Sequence, residues 1–193
     1  MKWKIIQKLL LLTTVIIGFM SAVALTMQGE NNQQPSGDGP IKVEIVATNN
    51  GYQLLRGGQP YIVKGAGVVS QNLKSLLAHG GNSLRTWSVD GRAETAQELL
   101  DRAHALGLTV SLGLEFHRER QGFDYNDVDA VALQFEQSKA RVLKYKDHPA
   151  LLTWIIGNEL NFNFENPKVY DAVNDVAKMI HELDPNHPTT TTL

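Results

Sequence analysis

The chain has 193 residues, 18 Lys and Arg against 20 Asp and Glu, and 42% hydrophobic content. That balance describes a globular domain, excludes a disordered or fibrous chain, and leaves no electrostatic argument for a nucleic-acid partner. Cysteine is absent, which excludes a disulfide framework and any thiolate metal site.

At the amino terminus Lys2, Lys4 and Lys8 precede an apolar stretch over residues 9–25, and Ala22-Val23-Ala24 offers a small-x-small cleavage pattern. This predicts a secretory signal over residues 1–24, cleaved after Ala24, and a secreted or periplasmic product. The stretch is also nearly long enough to span a bilayer, so an uncleaved anchor formed by residues 5–25 is the alternative. Residues 25–40, dominated from Gln28 onward by Gln, Asn, Gly, Ser and Pro, cannot bury enough surface to fold and read as a linker. The ordered domain is expected from Ile41.

Residues 41–47 and 52–55 read as short strands around the turn signal Asn49-Asn50-Gly51. Tyr61-Ile62-Val63-Lys64-Gly65-Ala66-Gly67-Val68 reads as the next strand, with glycines at its carboxyl end where backbone could approach a ligand. A helix over residues 71–79 follows, capped by Ser70 and stopped by Gly80-Gly81. Asn82-Ser83-Leu84-Arg85-Thr86-Trp87 favours a strand, and Thr95-Ala96-Gln97-Glu98 is a capping box. Behind it Leu99, Leu100, Ala103 and Leu106 recur at helical spacing until Gly107.

Residues 108–116 form another apolar strand, closing on Glu115-Phe116-His117. After a polar loop over residues 118–127, where Glu119 and Asp124 are expected to be solvated, a helix is predicted over 128–144. The apolar run over 150–156 lacks polar alternation, as in a strand buried on both faces. Asn166-Pro167 opens a helix with Val169, Val173, Val176, Ala177 and Ile180 on one face. Asp184-Pro185-Asn186-His187-Pro188 breaks it, and residues 189–193 begin a fifth strand. Strand and helix alternate throughout, which argues for right-handed parallel βαβ units.

The polar triplet Gly157-Asn158-Glu159 follows the apolar run directly. In parallel α/β folds the carboxyl ends of strands are where ligands and catalytic groups collect. A carboxyl held at an apolar rim is partly desolvated, which favours the protonated form that a proton donor needs. Taken residue by residue, Glu159 could equally cap the loop that follows. No His pair has metal-ligand spacing on a single element and no Gly-rich phosphate loop follows a strand, so neither metal nor nucleotide is expected.

Tyr145-Lys146-Asp147-His148-Pro149-Ala150-Leu151-Leu152 and Ile155-Ile156-Gly157-Asn158-Glu159-Leu160-Asn161 resemble the catalytic domain of glycoside hydrolase family 2. The resemblance covers residues 41–193. It implies an α/β (β/α)8 TIM barrel, represented here by its first five strands and four helices, with the hairpin covering its bottom. It also implies retaining hydrolysis of O-glycosyl bonds in an oligo- or polysaccharide, without a cofactor. Glu159 would be the acid/base at the end of the fourth strand, and Asn158 would hold the sugar hydroxyl next to the anomeric carbon. Arg85 is similar to the arginine that keeps the nucleophile ionised. The nucleophile itself belongs to strand seven, which this sequence does not reach, so the chain reads as a truncated barrel without appreciable turnover. His117 is expected to touch substrate, although this strand end departs from the β-galactosidase pattern. Trp87, just past Arg85, is placed to stack on a sugar, whereas Trp154 is expected in the core. The β-sandwich modules that precede many family 2 barrels are missing, which weakens assignment to β-galactosidase or β-glucuronidase in particular.

Two rivals stand beside this reading. Leu84-Arg85-Thr86-Trp87-Ser88-Val89-Asp90 is similar to the strand-two region of β-1,3-glucanosyltransferases, which implies a transglycosylase of the same clan. A non-catalytic carbohydrate-binding protein is the other.

Overall fold

The computed structural model describes residues 38–67, 72–90 and 94–193. The signal, most of the linker and the Ser70 cap lie outside the described residues. The domain opens with a hairpin, β1 (Val43–Thr48) and β2 (Gly51–Arg56), in antiparallel register from Val43 opposite Arg56 to Thr48 opposite Gly51. A two-residue strand, β3 (Gln59–Pro60), pairs with the other side of β2.

Five parallel strands follow, and their order in the sheet is their order in the chain: β4 (Gly65–Gly67), β5 (Ser83–Arg85), β6 (Thr109–Leu114), β7 (Leu151–Asn158) and β8 (Thr189–Thr192). Parallel neighbours need a crossover between them. Among the described residues each gap holds one α-helix: α1 (Leu73–Ala78), α2 (Ala96–Ala105), α3 (Val128–Tyr145) and α4 (Lys168–Leu183). The alternation is therefore as expected, but the described strands make an open five-stranded sheet, not a closed barrel.

Local chemistry accounts for most boundaries. Thr95 and Glu98 form the reciprocal capping box of α2, and Gly107, at φ +71°, follows its end. The Asp127 carboxylate accepts the N–H groups of Asp129 and Ala130 at the start of α3. Asn166 Oδ1 accepts the N–H of Lys168, so this Asn-Pro pair does open α4. That helix buries Val169, Ala172, Val176, Met179 and Ile180, an i, i+3, i+4 stripe against the sheet.

The first parallel strand is shorter than its sequence suggests. The side-chain amide of Asn82 donates to Ile62 O at 2.8 Å and accepts from Lys64 N–H at 2.7 Å, so residues 62–64 bond to a side chain and the ladder starts only at Gly65.

The hairpin lies across the amino ends of the parallel strands. Val43 N–H donates to Asn186 O at 2.7 Å, Arg56 Nη2 to Pro149 O at 2.9 Å, and Tyr61 Oη to Asn82 O at 3.0 Å. Asn82, Pro149 and Asn186 precede β5, β7 and β8 respectively, so the carboxyl ends of the sheet are left for chemistry.

Candidate active site

At the carboxyl end of β7 the backbone turns sharply, with Gly157 at φ +73° and Glu159 at φ +52°. Glycine takes the left-handed region freely, whereas a glutamate held there costs about 1–3 kcal/mol. A Cβ on Gly157 would lie 2.6 Å from Leu160 Cδ1, so a larger residue there would also have to displace the Leu160 side chain. The turn is fixed from β8, where Thr192 O accepts the Glu159 N–H at 2.9 Å.

Asn158 is buried at the last position of β7. Its Oδ1 accepts from Arg85 Nη2 at 2.5 Å and from Thr192 Oγ1 at 3.2 Å. With the oxygen occupied by two donors, the amide NH2 is the group left to offer a ligand hydroxyl. The Arg85 guanidinium also lies over the Trp87 ring, 5.2 Å from its centroid. Arg85 Nε is buried without a partner among the described residues.

Trp87 is half-exposed, and its ring occupies the space beside Gly67, where a Cβ would stand 2.9 Å from Cη2. The bare backbone of Gly67 therefore admits the indole, not a ligand, which corrects the expectation for that glycine. A further close approach holds the Trp87 segment in place. A Cβ on Gly113 would meet Thr86 O at 2.6 Å, and the Gly113 N–H donates to Thr86 Oγ1 at 2.9 Å.

Glu159 itself differs from expectation. Its side chain is 58% exposed, so the apolar rim does not desolvate it, and its Oε2 pairs with Arg120 Nη2 at 3.0 Å. Arg120 Nη1 also donates to the Glu159 carbonyl at 2.6 Å. Arg120 comes from a single 3-10 turn (Glu119–Gln121) in the loop after β6. Its neighbours make equivalent contacts. Arg118 Nε donates to Asn158 O at 2.8 Å, and the Glu119 carboxylate accepts the N–H groups of Glu165 at 2.8 Å and Asn166 at 3.0 Å. Glu119 is thus engaged with backbone, contrary to its expected solvation. Asp124 is exposed, with Oδ1 accepting the Asn126 N–H.

His117 stands apart from this group. Its ring is exposed and stacks on Phe123 at 5.1 Å, its N–H donates to Gln134 Oε1, and its carbonyl accepts the Tyr125 hydroxyl. Burial pushes that hydroxyl up to about 12. Among the described residues no hydrogen bond joins the His117 ring to Asn158, Glu159 or Arg85.

Of the residues singled out from sequence, Arg85, Trp87, Asn158 and Glu159 form one connected group, and Trp154 is fully buried. Sequence reasoning passed over Arg118, Arg120 and Thr192. The alternating charges of Arg118-Glu119-Arg120 directly after a strand were the available signal for the first two. Among the described residues no group of three or more His, Cys, Asp or Glu side chains could hold a metal.

No protein-family model matches the chain. Solved structures do. A Bifidobacterium dentium β-glucuronidase, complexed with coumarin-3-O-glucuronide, is 19% identical with a TM-score of 0.61, the match covering 78% of this chain and 26% of that one. A Ruminococcus gnavus β-glucuronidase is 18% identical with a TM-score of 0.58, covering 78% and 28%. A β-D-mannosidase from Dictyoglomus thermophilum is 19% identical with a TM-score of 0.56, covering 79% and 22%. The chain shares its fold with part of these glycosidases. At this identity the likeness is one of architecture, and the chain spans between a fifth and three tenths of the relatives' length.

Proposed function

We propose that the chain carries the acid/base end of a retaining glycosidase site, with Glu159 as acid/base and a β-linked sugar as substrate. The observation that carries this reading is the position of Asn158 and Glu159 at the carboxyl end of β7, with Asn158 Oδ1 accepting a hydrogen bond from Arg85 on the strand end two places away. The β-glucuronidases and β-mannosidase that share the fold support the same class.

In the first step Glu159 gives its proton to the departing glycosidic oxygen while a second carboxylate attacks the anomeric carbon and the C–O bond breaks. In the second, Glu159 takes a proton from water, which attacks the anomeric carbon and releases the nucleophile. Asn158, through its amide NH2, holds the neighbouring sugar hydroxyl, and Trp87 offers an aromatic face to the ring. Arg85, with an unfilled N–H, would hold the nucleophile ionised. By the resemblance to glycoside hydrolase family 2 the nucleophile would be a carboxylate on a seventh strand, and no residue of this sequence is assigned that role. Export through the amino-terminal segment completes the reading.

The test is hydrolysis of 4-nitrophenyl β-glycosides by the whole protein that carries this sequence. Glu159→Gln is expected to lower kcat/KM by about 100-fold or more, and NMR of the first-formed sugar is expected to show the β-anomer. An unaffected variant or an inverted product would remove the proposal, and longer oligosaccharides by mass spectrometry would favour the transglycosylase. The chain by itself is expected to show no turnover; a rate abolished by Glu159→Gln would contradict that.

A further inference from the structure

Glu159 needs a restraint that its own strand does not supply. Its backbone is in the left-handed region, and its side chain, 58% exposed, lacks the packing that would select one rotamer. An acid/base group must be held in a narrow geometry to be effective.

Arg120 has the properties of that restraint. One guanidinium binds both the carbonyl and the carboxylate of Glu159, at 2.6 and 3.0 Å, and lies 5.0 Å over the ring of Phe162, three residues further on. The arginine is the fixed partner: its side chain is 20% exposed against 58% for the glutamate. The two residues before it are themselves anchored, Arg118 to Asn158 O and Glu119 to the N–H groups before α4. A planar fork that bridges main chain and side chain of the same residue sets its orientation more firmly than a point charge would.

We propose that Arg120 is the positioning residue of this site, fixing the side-chain angles of Glu159 and holding its carboxylate in an ion pair that a ligand must open. The inference rests on the reading of Glu159 as acid/base. Contact between Glu159 Oε2 and the departing oxygen requires the substrate to displace Arg120 Nη2 from that position.

Carbodiimide-driven coupling of glycine ethyl ester to the full chain, read at each carboxyl by tandem mass spectrometry, tests the pairing without any turnover. Glu165, exposed and six residues on, is the internal reference. Glu159 is expected to couple about threefold more slowly than Glu165 in the wild type, to lose that protection in Arg120→Gln, and to keep about half of it in Arg120→Lys. Equal rates at Glu159 and Glu165 in the wild type, or no change in Arg120→Gln, would overturn the proposal. If Arg120→Gln unfolds, shown by coupling at the buried Asp184, the wild-type ratio decides. Hydrolysis that survives Glu159→Gln would refute the reading of Glu159 as acid/base while leaving this measurement unaltered, so the two failures are separable.

Discussion

Inside the sheet the indole N–H of Trp154 donates to Asp184 Oδ2 at 2.7 Å, and His187 Nδ1 meets the same oxygen at 2.9 Å, all three side chains being buried. Burial pushes the Asp184 carboxyl up, but the hydrogen bonds from His187 and Trp154, the charge of His187 and the Asn186 N–H outweigh it and hold the carboxyl below its ordinary value. The folded value being the lower one, the stabilisation is complete above the unfolded value of about 3.9 and is lost as pH falls through the folded value. Urea unfolding between pH 6 and pH 2 is therefore expected to show a steeper loss for wild type than for Asp184→Asn. At pH 7 that variant is expected to be less stable by about 3 kcal/mol, the consequence of breaking a buried pair; parallel pH profiles would show that the carboxylate is not the group responsible. Gly113 makes a comparable demand through space. A methyl there meets backbone of Thr86 and Trp87 below 3.0 Å, so Gly113→Ala is expected to cost about 2 kcal/mol in a urea melt and to shift Trp87 fluorescence.

Among elements, the loop after β6 carries most of the site's restraint. Removing the Glu119 carboxylate leaves the Glu165 and Asn166 N–H groups without their acceptor, so Glu119→Ala is expected to cost about 1 kcal/mol and to speed hydrogen exchange at those two amides about fivefold. Unchanged exchange there would mean that the loop is held by Arg118 and Arg120 alone. This loop also marks the limit of what the sequence makes legible. The capping box at Thr95, the Asp127 cap and the Gly107 stop are contacts within a few residues, written in local spacing, and the helices fall where that spacing puts them. The apolar run behind Glu159 likewise announces a buried strand, and with it the place of Asn158 and Glu159 at a rim. Arg120 and Glu159 are 39 residues apart, and Glu119 and Glu165 are 46 apart. A polar loop residue gives no local sign of whether it faces water or a carboxylate on another strand. Hence Glu119 reads as solvated and Glu159 as desolvated, and in both cases the missing information is a partner on a distant element.

For the whole molecule, five parallel strands in chain order give the domain two chemically different ends. The amino ends are closed by the hairpin, through Arg56 and Val43, and by Tyr61 just after β3, and the carboxyl ends carry Arg85, Asn158 and Glu159. Arg56 is the costly part of that closure. Its side chain is buried, desolvation pulls its guanidinium below the ordinary value, and its Nη2 gives the hydrogen bond that Pro149 O receives just before β7. Because β7 runs from that contact to Glu159, the strand could transmit a disturbance from one end to the other. Its pairing argues against this: β7 pairs with β6 from Leu151 to Ile156 and with β8 from Trp154 to Asn158, and is buried along nearly its whole length. A packed strand of this kind absorbs a local loss at the hairpin without changing register. Arg56→Ala is therefore expected to cost about 2 kcal/mol of stability in a thermal or urea melt while leaving carbodiimide coupling at Glu159 at the wild-type rate. If coupling at Glu159 rose together with the loss of stability, the hairpin would have to be counted among the elements that hold the carboxylate in place.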